Sequence, residues 1–251
     1  MQSARAHVWY ASPEALSDPS IATHARSLLS ENERLRAVRF VFERDHLTYV
    51  AAHALCRIAL SAHQDVAPSA WRFVAGDNGR PEIVAPSSPL RFNLSHTRGL
   101  VTCAVVDTID IGVDVESLDR GAPLEIAERY LAPAELRALR ELPTSEQPRR
   151  FFQYWTLKES YLKARGLGLS IPLDRITMIL TNEDTATVQL DPDVGNDSEE
   201  WQFAQREPSP SHALAVCLHK ARREERYSVI WHAASNDDFC ASITRHARQF
   251  R

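Results

Sequence analysis

The feature that most restricts the fold is a restart: helices followed by strands occur twice in one chain of 251 residues. After a strand-like opening at "AHVWY", residues 13–66 read as largely helical. The stretch "RDHLTYVAAHALCRIALSAH" repeats apolar residues at helical spacing, at Leu47, Val50, Ala51, Ala54, Leu55 and Ile58. His46 and His53, seven apart on that helix, lack a third ligand and read as structural polar positions. "GDNGRPEI" is turn chemistry, and strands are expected at 90–96, 100–107 and 109–116. Only a short polar turn at Thr108 separates the last two, which predicts a hairpin. The pattern then begins again, with helices over 123–130, 133–141 and 146–165. Strands follow at "RITMIL", "ATVQL", "WQFAQ", "HALAVCLH" and "YSVIWH". The tail from 234 to 251 reads as a peripheral or partly disordered helix. This order predicts an α+β fold with two similar halves, residues 1–109 and 110–251.

Within the second half, "IGVDVE" at 111–116 carries two acids on an otherwise apolar strand. Alternation along a strand puts Asp114 and Glu116 on one face and Val113 and Val115 on the other. Two carboxylates on one face of a core strand repel each other and resist desolvation. A second polar cluster lies in "FFQYWTLKESYLKARGLGLSIPLD", where Glu159 and Lys163 are four apart on a helix. By itself that pair reads as an ordinary surface ion pair. "FNLSH" ends a strand with Ser95 and His96, which point apart and so do not form a nucleophile–base pair. Hydrogen bonds to an anionic ligand suit them better, and Arg80 in "DNGRP" is another candidate anion contact.

Charge and composition exclude other classes. A formal net charge of −4 argues against a nucleic-acid partner. No apolar run is long enough to span a membrane, and the N-terminus lacks a secretory layout, so a cytoplasmic protein with no membrane partner is expected. Cys56, Cys103, Cys217 and Cys240 form no CxxC pair and read as buried free thiols.

In chain order, "GRP", "FNLSH", "IGVDVE" and "WTLKESYLK" resemble the signature of the Sfp-type 4′-phosphopantetheinyl transferases. The resemblance runs from about residue 30 to 175. It implies a pseudo-twofold arrangement of two small antiparallel sheets packed with helices, with the active site in the cleft between the halves. It implies transfer of phosphopantetheine from coenzyme A to a serine of an acyl or peptidyl carrier protein, with release of 3′,5′-adenosine bisphosphate. The implied cofactor is Mg²⁺, held by Asp114, Glu116 and Glu159, and the implied base is Glu159 or a metal-bound water. Lys158 and Lys163 are implied phosphate contacts, with Lys163 favoured for transition-state charge. Ser95, His96, Arg80 and Arg36 are implied contacts to the phosphates of coenzyme A. Glu33 stands where some relatives carry a second lysine, and Glu135 matches an acidic position that reads equally well as a helix-surface carboxylate. An internal pseudo-dimer favours a monomer.

Two other readings compete. A Mg²⁺-dependent nucleotide hydrolase or nucleotidyltransferase also needs clustered carboxylates but leaves "FNLSH" and "WTLKESYLK" unexplained. A degenerate carrier-binding module is opposed by the survival of Asp114, Glu116, Glu159 and Lys163.

Overall fold

A computed structural model describes residues 4–76, 79–120, 124–166, 168 and 171–248. Parts of the turn expected around residue 78 and of the loop expected after residue 165 lie outside them. The chain divides into two compact units. One comprises His7–Thr108 and the residues from Ile230 onward; the other comprises Ile109–Val229 and the residues up to Ala6. The expected cut at 109/110 does not include this exchange of chain ends.

In the first unit the elements are β1 (Ala4–Ala11), α1 (Pro19–Leu28), α2 (Glu31–Ala37), α3 (Glu43–Ser61), β2 (Arg72–Ala75), β3 (Pro81–Ala85), β4 (Leu90–Thr97) and β5 (Leu100–Asp107). Helix α3 is 19 residues long and buries Val50, Ala51, Ala54, Leu55 and Ile58, the positions its periodicity marks out. Their core continues through Leu16, Leu28, Trp71 and Phe92. Strands β2 and β3 form a separate antiparallel ribbon.

The second unit contains β6 (Ile111–Ser117), α4 (Ala127–Tyr130), α5 (Pro133–Arg140), α6 (Gln147–Arg165), β7 (Ile176–Leu180), β8 (Thr185–Leu190), β9 (Trp201–Ser209) and β10 (His212–His219). Its five-stranded sheet has the order β6-β10-β9-β8-β7, with every neighbouring pair antiparallel. The 19-residue α6 covers one face, burying Leu157 and Tyr161 against Phe203, Ala215 and Cys217. Both units therefore repeat one plan, a long helix on a small sheet, as the sequence predicts.

β11 (Tyr227–Ala233) joins the first sheet, whose order is β11-β1-β5-β4, and α7 (Asn236–Arg248) follows. Two expectations need correcting. The hairpin at Thr108 does not form: β5 pairs with β4, whereas β6 pairs with β10 in the other sheet. Thr108 instead adopts a left-handed φ of 64°, and its amide donates to the Pro89 carbonyl at 3.1 Å. The tail is not peripheral either, because α7 buries Phe239 and Ile243 in the core of the first unit. All four cysteines are free, three of them buried. Among the described residues no helix is long and apolar enough to cross a membrane.

Candidate functional site

The site is set by how closely α6 approaches β6. A β-carbon added at Gly112 would sit 2.0 Å from the Ser160 carbonyl oxygen and 2.4 Å from the Ala164 amide nitrogen. Only glycine leaves room for that contact. Alternation then places Asp114 and Glu116 on the same helix-facing side as Gly112, two and four residues along. Val113 and Val115 are buried on the other side.

Asp114 is buried, and its Oδ1 accepts a hydrogen bond from Lys163 Nζ at 2.6 Å. The same ammonium donates to the Val113 carbonyl at 3.2 Å. Lys163 therefore bonds across to the strand rather than forming the i,i+4 pair with Glu159 that helical spacing alone suggests. Glu159 is half-buried one turn earlier. Burial, then the charge of Asp114, and more weakly that of Glu116, push its carboxyl up to about 7 despite the opposing Lys163 charge. Asp114, Glu116, Glu159 and Lys163 thus form one electrostatic cluster within a single unit.

Among the described residues no group of three His, Cys, Asp or Glu side chains is arranged to hold a metal ion. The chemistry of the donor set nevertheless fits a hard divalent cation. Its donors are carboxylate oxygens, and the repulsion between them adds to burial in raising Glu159. Lys163 now supplies positive charge at Asp114, so an ion shared by these acids requires that side chain to shift.

Lys158, expected at a phosphate, belongs elsewhere. It is fully buried and paired with buried Glu135 at 2.6 Å, and it donates to the carbonyls of Tyr130 at 2.9 Å and Leu173 at 2.8 Å. Glu135 in turn accepts from the amides of Ala132 and Met178, both at 2.7 Å. Burial pushes the Glu135 carboxyl up and the Lys158 ammonium down, each opposed by the partner's charge. The pair is a structural knot joining α5, α6 and β7, so Glu135 is no surface carboxylate either.

In the first unit, Ser95 is buried and His96 exposed, on opposite faces of β4. Their predicted divergence holds, and the strand does not place them side by side. Arg80 is half-buried just before β3. Arg36 is exposed on α2, its guanidinium 5.9 Å from the ring centre of Tyr49. With Asn32, Leu35, Arg39 and Phe40 it lines an open hollow of about 680 Å³.

Glu33 has a different task. It closes the capping box of α2 with Ser30, accepts from Arg57 Nη2 at 2.6 Å and from His53 Nδ1 at 2.9 Å. Burial opposes its ionisation, but the His53 hydrogen bond and the Arg57 charge win and bring it down to about 2. His46 Nδ1 donates to the Ala37 carbonyl at 2.8 Å, so both histidines are structural, as read from sequence.

Sequence reasoning missed Gln205. Asp114 pairs with Ala215 on β10, which pairs with Gln205 on β9, so all three share the face under α6. Gln205 is 5% exposed, and its Oε1 is buried without a hydrogen-bond partner. It lines a polar hollow of about 840 Å³ together with Gln153 and Thr156 of α6 and Ala213. A glutamine in a strand carries no local signal of such a place.

A family model described as the 4′-phosphopantetheinyl transferase superfamily matches residues 110–217, and one described as 4′-phosphopantetheinyl transferase, N-terminal, matches residues 17–107. The chain belongs to this superfamily and is a phosphopantetheinyl transferase. It is 35% identical to the 4′-phosphopantetheinyl transferase HetI of Nostoc sp. strain PCC 7120, over 76% of this chain and 78% of that protein. It is 31% identical to the 4′-phosphopantetheinyl transferase Sfp of Bacillus subtilis strain 168, over 76% of this chain and 82% of Sfp. A crystal structure of a holo-(acyl-carrier-protein) synthase from Bacillus anthracis in complex with CoA (3′,5′-ADP) is similar at a TM-score of 0.39 and 20% identity, covering 45% of this chain and 98% of that one.

Proposed function

We propose that this protein transfers the 4′-phosphopantetheine group of coenzyme A to a serine hydroxyl of an acyl or peptidyl carrier domain, releasing 3′,5′-adenosine bisphosphate. The observation that carries this reading is the cluster that Asp114 and Glu116 of β6 form with Glu159 and Lys163 of α6. Asp114, Glu116 and Glu159 would hold Mg²⁺. When bound there it would neutralise pyrophosphate charge and favour departure of the leaving group.

The chain's own residues do the rest. The carrier serine oxygen bonds to the pantetheine-side phosphorus, and the bond from that phosphorus to the nucleotide's bridging oxygen breaks. Glu159 would receive the serine proton, directly or through a water. Lys163, displaced from Asp114, offers its ammonium to charge building on the phosphoryl oxygens. Arg36, Arg80, Ser95 and His96 bind the phosphates of coenzyme A.

Intact-mass spectrometry tests the reaction. An apo carrier domain incubated with this protein, coenzyme A and Mg²⁺ should gain one phosphopantetheine mass, and none with EDTA. Cleavage of coenzyme A without gain by the carrier would favour a hydrolase instead. Coenzyme A binding with neither result would favour a carrier-binding module.

A further inference from the structure

Three imidazoles from separate parts of the chain meet in the first unit. They are His7 of β1, His63 just beyond α3 and His232 of β11, each half-buried. His7 Nδ1 and His232 Nε2 lie 2.8 Å apart, so one of them donates a hydrogen bond and the other accepts it. Those two rings are stacked, with centres 5.1 Å apart and planes within 10° of parallel. His232 also stacks on Trp9 at 4.0 Å, and His63 meets His7 edge-on at 4.4 Å.

The arrangement requires a neutral ring in the His7–His232 pair. A bond between two ring nitrogens needs one of them bare, and a protonated imidazole has none. Protonating both would set N–H against N–H at 2.8 Å and like charges at ring contact. His63 Nε2 is buried with no hydrogen-bond partner, so an N–H there has no acceptor. Burial holds the His63 and His232 rings below the ordinary 6.5, the charge of His232 adds to this at His63, and no carboxylate offsets it at either ring. The other titratable groups on the surrounding elements stand apart. On β1, Arg5 is exposed, and Tyr10 lies on the face opposite His7. Tyr227 lies on the face of β11 opposite His232. Asp65 beyond α3, Asp107 at the end of β5 and Asp237 and Asp238 at the start of α7 are exposed, while Arg57 of α3 is bonded to Glu33.

Chain position gives the cluster a task. β11 is an edge strand whose one neighbour in its sheet is β1. The chain passes from one unit to the other between Ala6 and His7 in β1 and between Val229 and Ile230 in β11, so His7 and His232 stand just past the two crossings. Beyond them, the Ala234 amide donates to the Tyr10 carbonyl at 3.0 Å, and α7 places Phe239 and Ile243 in the core. A strand paired on one side alone comes free when that side opens. We infer that His7, His63 and His232 form an acid-sensitive latch, which holds β11 and the following α7 to β1 while the rings are neutral and releases them on protonation. The neutral rings stabilise the closed form above about pH 6.5, and that stabilisation is lost as pH falls through their lower folded values.

Two measurements on the full chain test the latch. Imidazole NMR titration follows each ring, and amide hydrogen exchange between about pH 7.5 and 5.5, corrected for intrinsic rates, compares the opening of β11 with that of β5. The His63 and His232 rings should titrate below about 6.5, and opening of β11 should rise about tenfold over that range while β5 changes less than about twofold. His232→Phe keeps an aromatic ring on Trp9 that cannot be protonated, so its β11 opening should vary less than about twofold with pH. Because this variant also loses the bond to His7, His63→Gln is the second: it leaves that bond in place and should cut the pH response of β11 about threefold. His219→Gln, on β10 of the other unit, should respond as wild type does. Ring titration of His63 or His232 at or above about 6.5, equal opening of β5 and β11, or an undiminished response in both cluster variants would overturn the latch.

Discussion

Lys163 Nζ lies 2.6 Å from Asp114 Oδ1, so the lysine of α6 occupies the carboxylate that a cation would need. If the acids of this cluster hold a cation, as proposed, ion and ammonium would compete for Asp114. That relationship separates a role in charge balance from a role in transfer.

Removing the ammonium should therefore help the ion and harm the reaction. Lys163→Ala is expected to bind Mg²⁺ about tenfold more tightly in calorimetry, while turnover falls by about two orders of magnitude. Weaker Mg²⁺ binding in that variant would show that the ammonium does not compete for Asp114.

Asp114→Asn keeps the shape of the side chain and removes its charge. On the proposed Mg²⁺ assignment, turnover should fall at least about a hundredfold with an unchanged circular dichroism spectrum, because the proposed ligand would be lost while packing remains. Wild-type activity would rule out the Mg²⁺ assignment to Asp114.

Gly112 has no tolerance for a side chain, since an added methyl meets backbone atoms of α6. Gly112→Ala should destabilise the protein by about 3 kcal/mol or more in urea unfolding, beyond ordinary overpacking because backbone cannot rotate away. A change under about 1 kcal/mol would mean that α6 can lift from β6.

The buried Lys158–Glu135 pair makes a different prediction from a phosphate contact. Lys158→Met strands Glu135 and should cost about 3–5 kcal/mol of stability. The folded fraction should keep its affinity for coenzyme A. A selective loss of that affinity, with stability unchanged, would return Lys158 to the binding site.

Acid sensitivity should trace to Glu33. Its folded pKa of about 2 lies below the ordinary 4.5, so the carboxylate stabilises the fold above about pH 4.5. That contribution, on the order of 3 kcal/mol, is lost as pH falls toward 2. Glu33→Gln should be less stable at pH 7 and show a flatter stability profile between pH 5 and about 2, measured by urea unfolding.

Much of this was legible along the chain because it is periodic. Spacing marked α3 and α6, and alternation alone put Asp114 and Glu116 on one face. The ordered blocks "FNLSH", "IGVDVE" and "WTLKESYLK" carried the family. Periodicity is a property of neighbours in sequence, whereas pairing is decided between residues far apart.

Only the tertiary structure sent β6 to β10 instead of β5, across about a hundred residues of chain. Only it buried Lys158 against carbonyls from Tyr130 and Leu173, and turned Glu33 inward to Arg57. A charge reads the same in sequence whether it meets solvent or a buried partner. Desolvation decides which, and that depends on what the fold packs against it.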